Sequence, residues 1–212
     1  EMKAALIAAK AASNLPVICQ MTYAEDGRTI TGTPPKAAAI LLDSMGADII
    51  GANCSLGPDK LFNVAKEMIA ATNKPIIIQP NAGMPVLENG ETLFPLSAED
   101  FARETAKFAD IGVSYLGGCC GTTPEHLHAL IKELENKPTV TPPKVKPFTA
   151  LTRRTGVVYV GDNYAPVKIG ERINPTGRKT LREDIQKGSF VSIKKDGLAE
   201  VAAGADILDV NM

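Results

Sequence analysis

Four times between residues 16 and 135 the chain repeats one pattern. A short apolar run is followed by a loop of glycine, proline and polar residues, and then by a longer segment of helical character. The apolar runs are 16–22, 48–53, 75–80 and 113–118. Such runs fit strands buried in a parallel sheet. The segments between and after them, 36–44, 61–71, 98–110 and 125–135, read as helices. Pro34 and Pro35 stand at the first helix start, where a missing N–H costs least, and Gly46 follows its end as a C-cap residue. Ser97, with Asp100 three residues on, is an N-cap for the third. An alanine-rich helix over 2–12 precedes the series. This alternation specifies an α/β fold, a parallel sheet with right-handed crossovers, in which ligands sit at the carboxyl ends of the strands.

Three cysteines fall at those ends. Cys119 and Cys120 lie in Gly117-Gly118-Cys119-Cys120-Gly121-Thr122-Thr123-Pro124, after the fourth strand. Cys54 lies in Gly51-Ala52-Asn53-Cys54-Ser55-Leu56-Gly57-Pro58, after the second. Adjacent cysteines rarely bond to each other, because the Cα separation across one trans peptide is too short for relaxed disulfide geometry. Both sulfurs can still reach one metal ion. Three thiolates from two strand ends leave one position of a tetrahedral zinc open, the pattern of a catalytic rather than a closed structural site. Cys19, inside a strand, reads as a small buried apolar residue. His126 and His128 are spaced i, i+2 and face different sides of a helix, so solvated or helix-start roles are expected. A capping box from Thr122 to Glu125 and an N-cap at Thr123 before Pro124 both fit the start of that helix. Asp43 and Asp48 read as turn and cap residues, and residues 25–28 as a polar turn.

Bulk properties exclude several function classes. Hydrophobic content is 44% and charged content 22%, ordinary for a globular chain of 212 residues. The net charge is -1 with no long run of either sign, which gives no support for nucleic-acid or anionic-membrane binding. No apolar stretch has the length of a membrane span. The first residues lack a basic segment followed by an apolar core, so no signal peptide is expected. Four cysteines in this composition point to a reducing, cytoplasmic setting, where cysteine clusters mean metal or catalysis more often than disulfides.

Beyond residue 136 the pattern changes. Residues 137–147 hold four prolines and read as an extended spacer. A new strand and polar loop start at 166–177, a helix is expected over 192–203, and a buried strand over 205–211 carries polar residues at its end. Two strands and one helix do not close a core by themselves.

The residues also resemble a known family. The stretches 51–58 and 117–124 resemble the two zinc-ligand motifs of zinc-dependent homocysteine S-methyltransferases, and Gln79-Pro80-Asn81-Ala82-Gly83-Met84-Pro85 resembles the motif between them. Gly170-Glu171-Arg172-Ile173-Asn174-Pro175-Thr176-Gly177 and residues 206–211 are similar to the start of a pterin-binding barrel. That order, homocysteine barrel then folate barrel, looks like the cobalamin-dependent methionine synthase family.

The resemblance implies a partial (β/α)8 architecture of TIM-barrel type. Residues 1–136 would be the last four or so β-α units of a homocysteine- and zinc-binding barrel, 137–165 a proline-rich linker, and 166–212 the first strands of a methyltetrahydrofolate-binding barrel. Alone, such a fragment is expected to fold poorly or by association, and to be inactive. Cys54, Cys119 and Cys120 would be the zinc ligands. Asn81 would sit at the zinc site and contact substrate, or fill the open position in its absence, although Asn-Ala-Gly is also a common turn. Asn174, Asp209 and Asn211 would face the pterin, whose donor and acceptor edge suits amides and a carboxylate. Glu171 and Arg172 would contribute there or form a structural ion pair. In the family, homocysteine thiolate takes a methyl group from methylcobalamin, carried on another domain of the full-length protein, and 5-methyltetrahydrofolate restores the donor. Two alternatives remain at this level: a cobalamin-independent enzyme using a betaine or sulfonium donor, and a non-catalytic module in which zinc clips two loops.

Overall fold

The computed structural model describes residues 1–88 and 90–212. Contacts divide the chain into two compact units, residues 1–146 with 152–157, and residues 147–151 with 158–212.

The first unit opens with α1 (Met2–Ala12), β1 (Ile18–Met21), α2 (Pro35–Ser44), β2 (Ile49–Asn53), α3 (Pro58–Ile69) and β3 (Ile76–Gln79). A small hairpin, β4 (Val86–Glu88) and β5 (Glu91–Leu93), then precedes α4 (Ala98–Ala106), β6 (Tyr115–Leu116) and α5 (Pro124–Leu134). The helix α2, α3 and α5 each begin with proline in the first turn, where no N–H is needed. In α4 the Ser97 hydroxyl accepts the Asp100 N–H at 3.1 Å, as its sequence implies.

The four-stranded sheet runs β1-β2-β3-β6, all parallel. Strand order follows chain order without a reversal. Right-handed crossovers then place every connecting helix on one face, as in a barrel wall and unlike a doubly wound sheet. Accordingly α2 packs on α3, α3 on α4, and α4 on α5. On the helix side of the sheet, Cys19, Ile50, Ala52, Ile76 and Ile78 are buried with Leu61, Val64, Ala65 and Met68 of α3. Phe101, Ala102, Ala106 and Leu130 close the α4–α5 layer, with Phe94 and Leu96 against it. Cys19 is buried, as its place in a strand requires.

Several boundaries differ from those read in the sequence. The α3 helix starts at Pro58 rather than 61, because Gly57 serves as its N-cap. The strand expected over 113–118 pairs only at Tyr115 and Leu116, since Ile77 and Ile78 are its sole partners in register. The third helix stops at Ala106, and a 3-10 turn, Ala109–Ile111, ends on Gly112. The loop 81–96 carries the β4–β5 hairpin. Asp43 and Asp48 are not turn or cap residues. Asp43 accepts the Thr72 hydroxyl at 2.5 Å, joining the ends of α2 and α3. Asp48 accepts Lys10 Nζ at 2.5 Å and the Val17 N–H at 2.7 Å, tying α1 and the start of β1 to β2.

The stretch read as linker contains β7 (Thr149–Arg153) and β8 (Gly156–Val160), which pair as a two-stranded sheet. In the second unit β9 (Ile169–Ile173) pairs in parallel with β10 (Ile207–Val210). Between them lie α6 (Lys179–Gln186), absent from the sequence reading, and α7 (Val191–Ala202). The α6 helix shows only Leu181 and Ile185 on an otherwise polar surface, too narrow a stripe to stand out. Arg172 pairs with Asp196 at 3.9 Å rather than with Glu171, and Asp196 also holds Arg178 at 2.7 Å. Glu200 is buried and accepts the Arg172 N–H at 2.7 Å.

Two measurements test this packing. A Cβ on Gly51 would lie 2.0 Å from the Ile77 carbonyl oxygen of the neighbouring strand. Gly51→Ala is therefore expected to lower stability by roughly 2–3 kcal/mol, read from the denaturant midpoint. Lys10, followed by the Val17 N–H, holds the Asp48 carboxyl below its ordinary value. A depressed folded-state pKa gives stability that is present above the unfolded value, near about 4, and is lost as pH falls through the folded one. Asp48→Asn should accordingly be less stable than the parent at neutral pH, with the gap closing on acidification, as followed by thermal melts.

Candidate metal centre

The carboxyl ends of β2, β3 and β6 converge on one point, and the short segment 79–82 organises it. The Gln79 carbonyl accepts the Cys54 N–H at 3.0 Å, and the Asn81 N–H donates to Leu56 at 3.0 Å. On the other side the Pro80 carbonyl accepts the Cys119 N–H at 2.8 Å, and the Ala82 N–H donates to Cys120 at 2.9 Å. Both cysteine loops are thus sewn to the same four residues. The buried Asn81, 3% exposed, adds a fifth tie: its side-chain oxygen accepts the Cys120 N–H at 3.1 Å.

Cys54, Cys119 and Cys120 meet there, with their Sγ atoms all within 4.8 Å of one another. The Cys54–Cys120 separation is 3.5 Å and the Cys119–Cys120 separation 4.0 Å. Tetrahedral ligands at about 2.3 Å from a zinc ion lie about 3.8 Å apart, so the sulfur spacing fits that ion. Among the described residues the cluster has three ligand atoms. Cys54 and Cys119 are half-buried and Cys120 is exposed, so the group has an open side.

The thiols are electrostatically linked. Hydrogen bonding to Cys54 and then to Cys119 pushes Cys120 up to about 11. Burial raises the Cys54 thiol, but the Ser55 N–H, Cys120 and Cys119 together outweigh it and leave Cys54 below the ordinary thiol value. The Cys54 sulfur is thus favoured as thiolate while Cys120 holds its proton. A divalent metal ion among the sulfurs would favour their ionised forms.

Two backbone features build the loops. Cys54 and Ser55 have φ of 64° and 56°, the non-glycine left-handed residues among those described. Two successive left-handed residues turn the chain sharply enough for the Leu56 N–H to reach the Cys54 carbonyl at 2.7 Å. After the cysteine pair, Gly121 has φ of 78°, and a Cβ there would meet the Phe94 ring at 2.2 Å. No sequence signal marks the Cys54-Ser55 strain, because neither residue type favours that conformation. The sequence also did not show that Gln79 pairs with Gln20, whose side-chain amide donates to it at 2.7 Å across the sheet.

The other site residues fall elsewhere. Neither histidine joins the sulfur cluster. His128 lines a groove between α4 and α5, and His126 completes a capping box with Thr123. That fixes the helix start left open by the sequence, with Thr123 as N-cap. In the second unit Asn174 follows β9, Asp209 lies in β10, and Asn211 follows it. The Asn211 N–H donates to Ile173 at 3.0 Å, so Asn174 and Asn211 stand at adjacent strand ends. The Asn174 side chain accepts the Thr176 N–H at 2.9 Å, closing a local turn. Replacing Ser55 by glycine removes one left-handed side-chain clash. We expect Ser55→Gly to raise stability by about 0.5–1 kcal/mol and Ser55→Val to lower it, measured by denaturant unfolding.

The sequence of this unit matches a known family. The family model described as homocysteine S-methyltransferase matches residues 1–134. A methionine synthase of Mycobacterium leprae is 30% identical over 99% of this chain, and one of Mycobacterium tuberculosis 31% identical over 99%. The chain spans 18% of the length of each. The homocysteine methyltransferase MmuM of Escherichia coli, in its oxidised form, shares the fold with a TM-score of 0.50 at 21% identity, over 62% of this chain and 40% of that one. The family model covers the whole cysteine-bearing unit up to the end of α5, and the chain belongs to the homocysteine S-methyltransferase family.

Proposed function

We propose that Cys54, Cys119 and Cys120 hold a zinc ion at which homocysteine is bound as the methyl acceptor and converted to methionine. The observation that carries this reading is the trio of sulfurs at tetrahedral spacing on the open end of a parallel sheet. Bound there, zinc would supply Lewis acidity that keeps a coordinated thiol deprotonated at neutral pH. The chain's own residues do the rest. Three cysteine ligands give the site a net charge of about -1 by simple counting, so the acceptor sulfur stays electron-rich. The segment 79–82 fixes both cysteine loops, and the Asn81 side-chain oxygen orients the Cys120 backbone by accepting its N–H. In this reading the Asn81 amide nitrogen would be the group offered to substrate.

In the finer reading, the methyl group comes from methylcobalamin on a separate domain of the full-length protein, and 5-methyltetrahydrofolate replenishes it. Residues 1–136 would then belong to the homocysteine barrel, 137–165 to the connection, and 166–212 to a pterin-binding barrel. Asn174, Asp209 and Asn211 would face the pterin from the carboxyl ends of β9 and β10. The similarity to methionine synthases supports this, because it continues past the family model through the second unit. A betaine- or sulfonium-dependent enzyme has no use for that unit.

The test is zinc content together with proton release on adding homocysteine, in the parent and in Cys120→Ser. We expect about one zinc per chain and about one proton released per homocysteine. In Cys120→Ser, zinc affinity should fall by more than the roughly 10–100-fold typical of an outer-shell change, and proton release should disappear with it. Zinc held by the parent with no proton release would make the centre a structural clip and overturn the reading.

A further inference from the structure

His126 lies six residues past Cys120 and outside the sulfur cluster, yet its ring closes a circuit of hydrogen bonds through the metal centre. The Cys120 carbonyl accepts the Ala82 N–H at 2.9 Å, and the Ala82 carbonyl accepts the Leu96 N–H at 3.1 Å. The Leu96 carbonyl is 3.1 Å from His126 Nε2. His126 Nδ1 in turn accepts the Thr123 N–H at 3.2 Å and lies 3.0 Å from the Thr123 hydroxyl. Thr123 is three residues from Cys120, so the path returns to its start.

The partners dictate the protonation of the ring. A backbone N–H can only donate and a carbonyl can only accept. Nδ1 is therefore the acceptor and Nε2 carries the hydrogen. The ring also packs edge-on against the buried Phe101, with centroids 5.5 Å apart, which restricts its rotation. Glutamate or glutamine is the usual third residue of a capping box and caps the helix from its own oxygen. Histidine accepts the Thr123 N–H on Nδ1 and donates outward from Nε2 as well, to a loop 30 residues earlier in the chain.

We propose that His126 is a positioning residue of the metal centre, holding the Cys119-Cys120 turn against the 79–96 segment by bridging Thr123 and Leu96. The inference rests on the zinc reading above. Without the bridge the cysteine pair keeps its ties to residues 80–82, but the far end of that segment is free to move relative to α5. The three sulfurs then have to be gathered at the moment of metal binding, and affinity falls.

Two substitutions separate this role from simple helix capping. A glutamine carboxamide carries an acceptor and a donor at nearly the spacing of the two ring nitrogens, so His126→Gln can keep both bonds. His126→Glu keeps the capping acceptor, and a carboxylate in the first turn favours the helix, but it cannot donate to Leu96. The measurement is zinc affinity by chelator competition, made in the full-length protein that contains this chain, with a thermal melt of the metal-free form as control. Cobalt(II) binding, read by its thiolate charge-transfer absorption, reports the same site without turnover.

We expect His126→Glu to lose at least about 10-fold in affinity, within the range for residues that orient metal ligands, and His126→Gln to stay within about 3-fold of the parent. Parent-like affinity in His126→Glu, or an equal loss in His126→Gln, overturns the proposal. A parent that binds no zinc overturns the zinc reading instead. Nitrogen NMR of the parent's imidazole gives a check independent of any variant. The hydrogen on Nε2 is expected, and an Nδ1–H tautomer overturns the bridge.

Discussion

Four residues at the end of one central strand hold this centre together. Gln79, Pro80, Asn81 and Ala82 offer backbone groups to both neighbouring loops, two to the Cys54 side and two to the Cys119-Cys120 side. At the end of β3 these backbone groups no longer pair with the neighbouring strands and are taken up by the loops that follow those strands. Here those groups are used to bring together cysteines that are 66 positions apart. The helices behind the sheet matter mainly because they keep β2, β3 and β6 in that alignment.

Electrostatics and strain act against the same arrangement. Three thiols in contact share protons, and raising Cys120 while lowering Cys54 is the result. Cys54 and Ser55 adopt a left-handed backbone that each costs about 1–2 kcal/mol. A cation among the sulfurs would offset the cost of ionising them, whereas the backbone strain is met by the packing of the loops. Buried apolar contacts in α3 and α4 anchor the elements from which these loops extend.

Much of the first unit was legible because its signals are local. Prolines at helix starts, Ser97 as an N-cap and apolar runs of strand length each act within a few residues. What failed was also physical. The end of a strand depends on its partner's register, so β6 is two residues long although six looked competent. Asp43 and Asp48 looked like turn residues, and their partners Thr72, Lys10 and Val17 lie far off in sequence. The α6 helix has too few apolar residues to announce itself, and the β7–β8 pair sits in a stretch whose prolines suggested only a spacer.

The sequence by itself determined the α/β alternation, the parallel sheet, and the placing of Cys54, Cys119 and Cys120 at strand ends, because residue spacing and turn chemistry are read along the chain. It also carried the family, through the glycine-cysteine stretches. Only the tertiary structure decided that Asn81 props the Cys120 backbone, and that the capping partner of Thr123 is His126 with its second nitrogen on Leu96. Those outcomes depend on which segments become neighbours in space, and hydrogen bonds between distant residues leave no periodicity in the chain that makes them.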